Sequence, residues 1–286
     1  MRETSNPVFR SLPKQRGGYA QFGSGVAGAA TQQAYQADPY AAPYRDQRTG
    51  VSRPLTIDDV VTKTGITLAV LSAVAVASYF LVARDPSHAL AAPFTFIGAI
   101  GGLVLVLFAT FTRKQDSPAL VLSYAALEGL FLGAISFVLA HFTVSSTNAG
   151  SLIGQAILGT VGVFVGMLVV YKTGAIRVTP KFTRMIVAGL FGVLALMLGN
   201  FVLAMFGVGH GEGLGLRSGG TLAIIFSLVC IGLAAFSFLI DFDAADQMIR
   251  AGAPEKAAWG IALGLTVTLV WLYIEILRLL SYLQSD

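Results

Sequence analysis

The chain has 286 residues, of which 55% are hydrophobic and 12% charged, with a formal net charge of +4. Soluble domains carry about 25% charged residues, so this composition excludes an ordinary soluble domain. The lone cysteine, Cys230, excludes a disulfide framework. The basic residues sit between apolar runs rather than on one polar face, which argues against nucleic acid as a partner and for a lipid bilayer.

Residues 1–55 are rich in Gly, Ala, Gln, Tyr and Pro, without apolar periodicity, and read as a disordered tail. A charged start leads into polar sequence, so no signal peptide is expected. The evenly spaced tyrosines allow an adhesive or modifiable segment as the alternative to a plain flexible tail. Next, "LTIDDVVTKTG" predicts a helical lead-in at the inner membrane surface, with Thr56 as N-cap and Asp58 and Asp59 in the first turn.

Residues 56–286 form the membrane domain, with seven uncharged or nearly uncharged segments at 64–83, 91–112, 119–140, 151–171, 185–206, 220–240 and 258–280. Each is long enough to cross ~30 Å of hydrocarbon at ~1.5 Å per residue. Lipid offers no partner to backbone polar groups, and the segments lack period-two alternation, so all are predicted to be helices. The expected fold is an all-α, seven-span helix bundle.

Of the 19 Lys and Arg, 16 fall in the tail and the loops after spans two, four and six, and 3 on the other side. The positive-inside rule then places the N-terminus in the cytoplasm and, after seven spans, the C-terminus outside a plasma membrane. His88, His141 and His210 all fall on the outer loops, as ordinary loop residues or as sensors of external pH. Small residues recur at fourth positions: Gly98 with Gly102, Ala125 with Gly129 and Gly133, Gly162 with Gly166, and Gly260 with Gly264. That spacing predicts closely approached helices in one bundle.

Ionisable groups inside spans are costly, about 2.5 to 3.5 kcal/mol at mid-bilayer, and so point to function. Glu128 lies near the middle of span three, and Glu275 lies past the middle of span seven, where Arg278 three residues on could pair with it. The inner end of span six, "FSFLIDFDAADQMI", carries Asp241, Asp243 and Asp246. Asp243, Asp246 and Gln247 share one helix face while Asp241 points elsewhere. These three are either a solvated helix end or part of a working site. Carboxylates gathered in a dehydrated site cannot all be ionised at once, and losing a proton there favours a cation or a rearranged packing. Oxygen ligands of this kind suit calcium. There is no H-E-x-x-H zinc motif, G-x-S-x-G elbow, Walker loop or lysine in span seven, so no enzyme activity and no resident cofactor are expected.

The stretches "FLIDFDAADQMI", "VTLVWLYIEILRLL" and "SYAALEGLFLGAIS" resemble the Bax inhibitor family of seven-span proteins, in particular its bacterial, YccA-like branch, over residues 57–283. The tail opening "MRETSNPVFRSLPKQ" looks like that of a bacterial subgroup and lies outside the family core. The resemblance implies six helices around a central seventh. It also implies a pair of acids, one on span six and one on span seven, whose shared proton controls a pH-sensitive calcium leak, and an arginine that latches the closed form.

Carried over, the span-seven acid is Glu275, the span-six acid is Asp243 or Asp241, and Arg113 is a candidate latch. Asp243 and Glu275 would then be the calcium ligands. They are 32 positions apart, however, and a hairpin turning near Gly252 sets Asp243 beside Ile261 and leaves Glu275 ~20 Å deeper. Glu128, at a depth nearer that of Glu275, is the alternative partner. Two functions follow: a pH-gated cation leak, or a non-conducting regulator of a membrane protease or stress response that uses its tail.

Overall fold

A computed structural model of the protein describes residues 53–143 and 149–284. The expected disordered tail lies outside the described residues except for 53–55. Among the described residues there are seven long helices and no strand, apart from one isolated β-bridge between Pro54 and Pro254. They are α1 (Ile57–Arg84), α2 (Ala91–Phe111), α3 (Pro118–Val138), α4 (Ala149–Thr173), α5 (Pro180–Met205), α6 (Thr221–Arg250) and α7 (Ala257–Leu283). All seven are long and apolar enough to cross a membrane.

Local chemistry sets their ends. Thr56 and Asp59 form a capping box: Thr56 Oγ1 accepts from the Asp59 backbone, and the Asp59 carboxylate accepts from the Thr56 backbone at 3.0 Å. The predicted lead-in is therefore the first turn of a continuous 28-residue α1, not a separate surface element. Pro118 and Pro180 open α3 and α5, where a missing N–H costs nothing. Gly252, with φ 64°, turns the α6–α7 hairpin where the sequence placed it.

The helices form two groups. One is α1, α2 and α3; the other is α4, α5 and α6; and α7 packs against α1 and α3 of the first and α4 and α6 of the second. The tightest seam is α1 against α3, where Gly129 and Gly133 lie on the α1 backbone and Ser78 Oγ donates to the Leu130 carbonyl at 2.8 Å. Gly98 lies on the α3 backbone at Leu127 and Phe131, and Gly102 lies against the Glu128 side chain, for α2 against α3. The other small pairs behave differently. At Gly162, Gly166 and Gly264 nothing lies within 4 Å of where a Cβ would stand, and Gly260 makes only ordinary contact with Gln115. Fourth-residue spacing brings small residues onto one face but does not decide which face meets a neighbour.

The outer surface is the reverse of a soluble protein's. Phe96, Leu158 and Phe191 are 64%, 74% and 68% exposed, a distribution that only a hydrocarbon surround tolerates.

The chain before α1 is tied to the α6–α7 turn. Leu55 N donates to Ala253 O at 2.8 Å and Glu255 N to Arg53 O at 2.9 Å. Lys63 reaches Glu255 at 3.0 Å, and Arg53 bridges Asp59 and Glu255.

Candidate functional site

The three deeply placed acids occupy separate environments. Glu275, only 1% exposed, accepts from two arginines: Arg278 one turn along α7, at 3.1 Å, and Arg217 from the α5–α6 connection, at 3.0 Å. The pairing expected with Arg278 is present, but the pairing with a span-six acid is not.

Asp241, half-buried on α6, accepts from Thr268 Oγ1 of α7 at 2.7 Å. The α6–α7 register therefore turns Asp241, rather than the favoured Asp243, toward α7. Thr268 and Glu275 are seven residues apart on α7, which places them on one face and ~10 Å apart along the axis. Leu272, fully buried, fills the turn between them. The carboxylates of Asp241 and Glu275 thus lie about two helical turns apart along α7, with Leu272 between them.

Asp243 and Asp246 share a face, as the sequence indicates, but that face meets α4. Tyr171 lies 3.5 Å from each, Gln247 donates to Asp243 at 2.6 Å, and Arg250 pairs with Asp246 at 2.8 Å. This polar cluster at the helix end does not reach Glu275. Glu128 is buried on α3, one turn from the equally buried Tyr124, and rests over Gly102, where a Cβ would meet its Oε1. It too is separate from Asp241 and Glu275.

Asp241 lines a cavity of about 280 Å³ between the α2–α3 loop and the α6–α7 hairpin, together with Arg113, Gln115, Asp116 and Met248. Arg113, the candidate latch, thus lines the same cavity as Asp241. Its left-handed backbone, φ 54°, is uncommon for a non-glycine residue. Lys256 Nζ bridges to Asp116 at 2.8 Å across the two loops.

The Lys256 hydrogen bond and charge hold the Asp116 carboxyl below its usual value of about 3.9. A carboxyl so depressed adds stability above its unfolded value and loses it as pH falls through the folded one. The Lys256 side chain is 66% exposed and that of Asp116 34%, so Lys256→Ala is expected to cost no more than ~1 kcal/mol at pH 7. The difference from the parent should shrink as pH falls below the usual carboxylate value, as checked by thermal unfolding in detergent.

Among the described residues no three His, Cys, Asp or Glu gather into a metal-binding group. The expected calcium ligands Asp243 and Glu275 are each held by other partners, so a site built from those two is not formed. His141 stacks on Phe137 with ring centroids 4.1 Å apart, and His88 Nδ1 lies 3.3 Å from the Val82 carbonyl. His210 sits in a left-handed turn.

Sequence reasoning counted Arg217 only as a loop charge. The available signal was its position: apart from Glu212, it is the one charged residue in a glycine-rich connection that is otherwise uncharged. Thr268 and Tyr171 were missed because hydroxyls inside spans are common and carry no distinctive spacing.

Comparison with curated proteins yields no match. A family model described as "Bax inhibitor 1 like" matches residues 6–285. That match takes in most of the polar tail, which the resemblance had left outside the family core. The chain belongs to the Bax inhibitor 1 like family.

Proposed function

We propose that the protein is a cation leak, with calcium as the ion, that is closed in this arrangement and whose opening depends on ionised intramembrane carboxylates. The observation that carries this reading is the placement of Asp241 and Glu275 on the two sides of Leu272 along α7, with Asp241 lining a cavity open at one end of the bundle. Under the positive-inside orientation that cavity faces the cytoplasm and the α5–α6 connection faces outside a plasma membrane. A cation entering past the Asp116–Lys256 bridge meets Asp241, and Leu272 is the apolar block beyond it, a constriction of the kind that gates by excluding water.

A cation binds a carboxylate and not a carboxylic acid, so flux is expected to rise with pH. The test is calcium uptake into liposomes holding the full chain between pH 6 and 8. Asp241→Asn should flatten the pH profile and lower flux ~10-fold or more at the upper end. Flux no greater than that of empty vesicles at every pH would overturn the leak.

A second reading has its own support. The strap from Arg53 to Leu55 across the α6–α7 turn connects the tail mechanically to the hairpin that carries Asp241. A non-conducting regulator would use the tail to engage a membrane protease or a stress-response protein. Deleting residues 1–50 leaves a leak intact but removes protease binding from a tail-borne regulator, so the two measurements on one variant separate the readings.

A further inference from the structure

Connections between helices usually run over the surface. The α5–α6 connection, residues 206–220, is mostly exposed but dips inward at Leu216 and Arg217. Its backbone takes left-handed conformations at Gly207, Gly209, His210, Gly211, Gly213, Gly215 and Gly219. These reversals, six of the seven at glycine, which takes them without strain, bring two successive side chains into the bundle. Leu216 is buried with Val193, Phe226 and Cys230. Arg217 reaches Glu275 and lies 5.5 Å over the Phe226 ring.

The segment is anchored on both sides. Leu214 N donates to Asn200 Oδ1 of α5 at 2.7 Å, and the Tyr282 hydroxyl of α7 donates to the Arg217 carbonyl at 3.2 Å. Charge neutrality does not require Arg217. Arg278 already pairs with Glu275 from the same helix, so a second guanidinium leaves this buried site with one positive charge in excess. Ser227 Oγ, wholly buried near the Glu275 carboxylate, has no hydrogen bond of ordinary geometry. The site is thus over-supplied with tethered cation and holds a spare oxygen donor, which is the composition of a cation site closed by a side chain.

We propose that residues 206–220 are a plug. Arg217 is a tethered cation occupying the carboxylate that a mobile cation would use, and Leu216 is the stopper seated beside it. The inference rests on reading Glu275 as one end of a cation path, and its test does not depend on flux. Cys230, the single cysteine of the chain, is wholly buried in the cluster that Leu216 closes. It is therefore a native reporter of plug displacement.

The full chain in proteoliposomes is treated with a membrane-impermeant maleimide, added to each side in turn, with Cys230→Ala as the blank. The parent should label slowly. Arg217→Gln, which removes the ionic hold, and Asn200→Ala, which removes the remote anchor, should each label at least ~10-fold faster from the α5–α6 side. Arg217→Lys, which keeps the charge, should label at close to the parental rate. Parental labelling rates in both Arg217→Gln and Asn200→Ala would overturn the plug. Faster labelling in vesicles that pass no calcium keeps the plug and removes the leak. A pH-dependent leak with labelling unchanged does the opposite.

Discussion

Glu275→Ala should be the most damaging charge substitution in the chain, costing ~3–5 kcal/mol of folded stability, the range found when one partner of a buried ion pair is removed. The carboxylate is 1% exposed, and the side chains of Arg217 and Arg278 are 25% and 19% exposed. Deleting the acid leaves two guanidiniums converging on an apolar pocket with no anion between them. Deleting either arginine leaves a neutral pair, so Arg278→Ala should cost well under half as much. Combining Glu275→Ala with Arg217→Leu should recover part of the loss, because one of the two stranded charges goes with it. Denaturant unfolding in mixed micelles measures all four proteins. A Glu275→Ala loss within ~1 kcal/mol of the parent would mean that the arginines find water and that the pairing carries no energy.

The second large effect lies in the α1–α3 seam. A Cβ on Gly133 would overlap the Ala75 carbonyl and stand 2.7 Å from Ser78 Cβ and 2.8 Å from Tyr79 N. Two of those three atoms are backbone of a continuous helix and cannot rotate away. Gly133→Ala is therefore expected to cost ~1–3 kcal/mol, and Gly133→Leu to prevent recovery of a folded monodisperse protein. Gly166→Leu is the matched control. Nothing lies within 4 Å of its Cβ position, so the larger side chain enters lipid and stability should stay within ~0.5 kcal/mol of the parent. Size-exclusion profiles and unfolding midpoints of the three variants decide the point. Equal tolerance at Gly133 and Gly166 would show that the helices separate without penalty.

These two sites show how much a sequence reveals in this kind of protein. The seven helices were legible because a bilayer imposes a minimum apolar length and forbids unsatisfied backbone, a constraint that needs no tertiary information. Depth was legible by the same rule, and Glu128 and Glu275 were picked out as buried because counting residues along a helix is enough. Partnership was not. Whether Asp241 or Asp243 faces α7 depends on the angular register of two helices packed through many side chains, and the register selects Thr268 as the contact of Asp241.

Small-residue spacing has the same ambiguity. The pattern at Gly129 and Gly133 marks a seam, whereas the same pattern at Gly162 and Gly166 faces open space. Arg217 was the least legible residue of all. Its place at Glu275 follows from a run of left-handed glycines whose combined path is fixed only when α5, α6 and α7 are already together.

The strap across the α6–α7 turn also sets a timetable. Lys63 and Glu255, which bond at 3.0 Å, are 192 residues apart in the chain. At about 5–20 residues per second, synthesis separates the emergence of the two by roughly 10 to 40 s. Throughout that interval α1 must wait in the membrane without the acceptor for its lysine, held only by its seam with α3. The stretch from Arg53 to Lys63 is therefore among the last parts of this protein to settle, although it is the first membrane-domain sequence the ribosome releases. A chaperone or insertion factor that shields an unpaired basic residue at the head of α1 would have this interval in which to act.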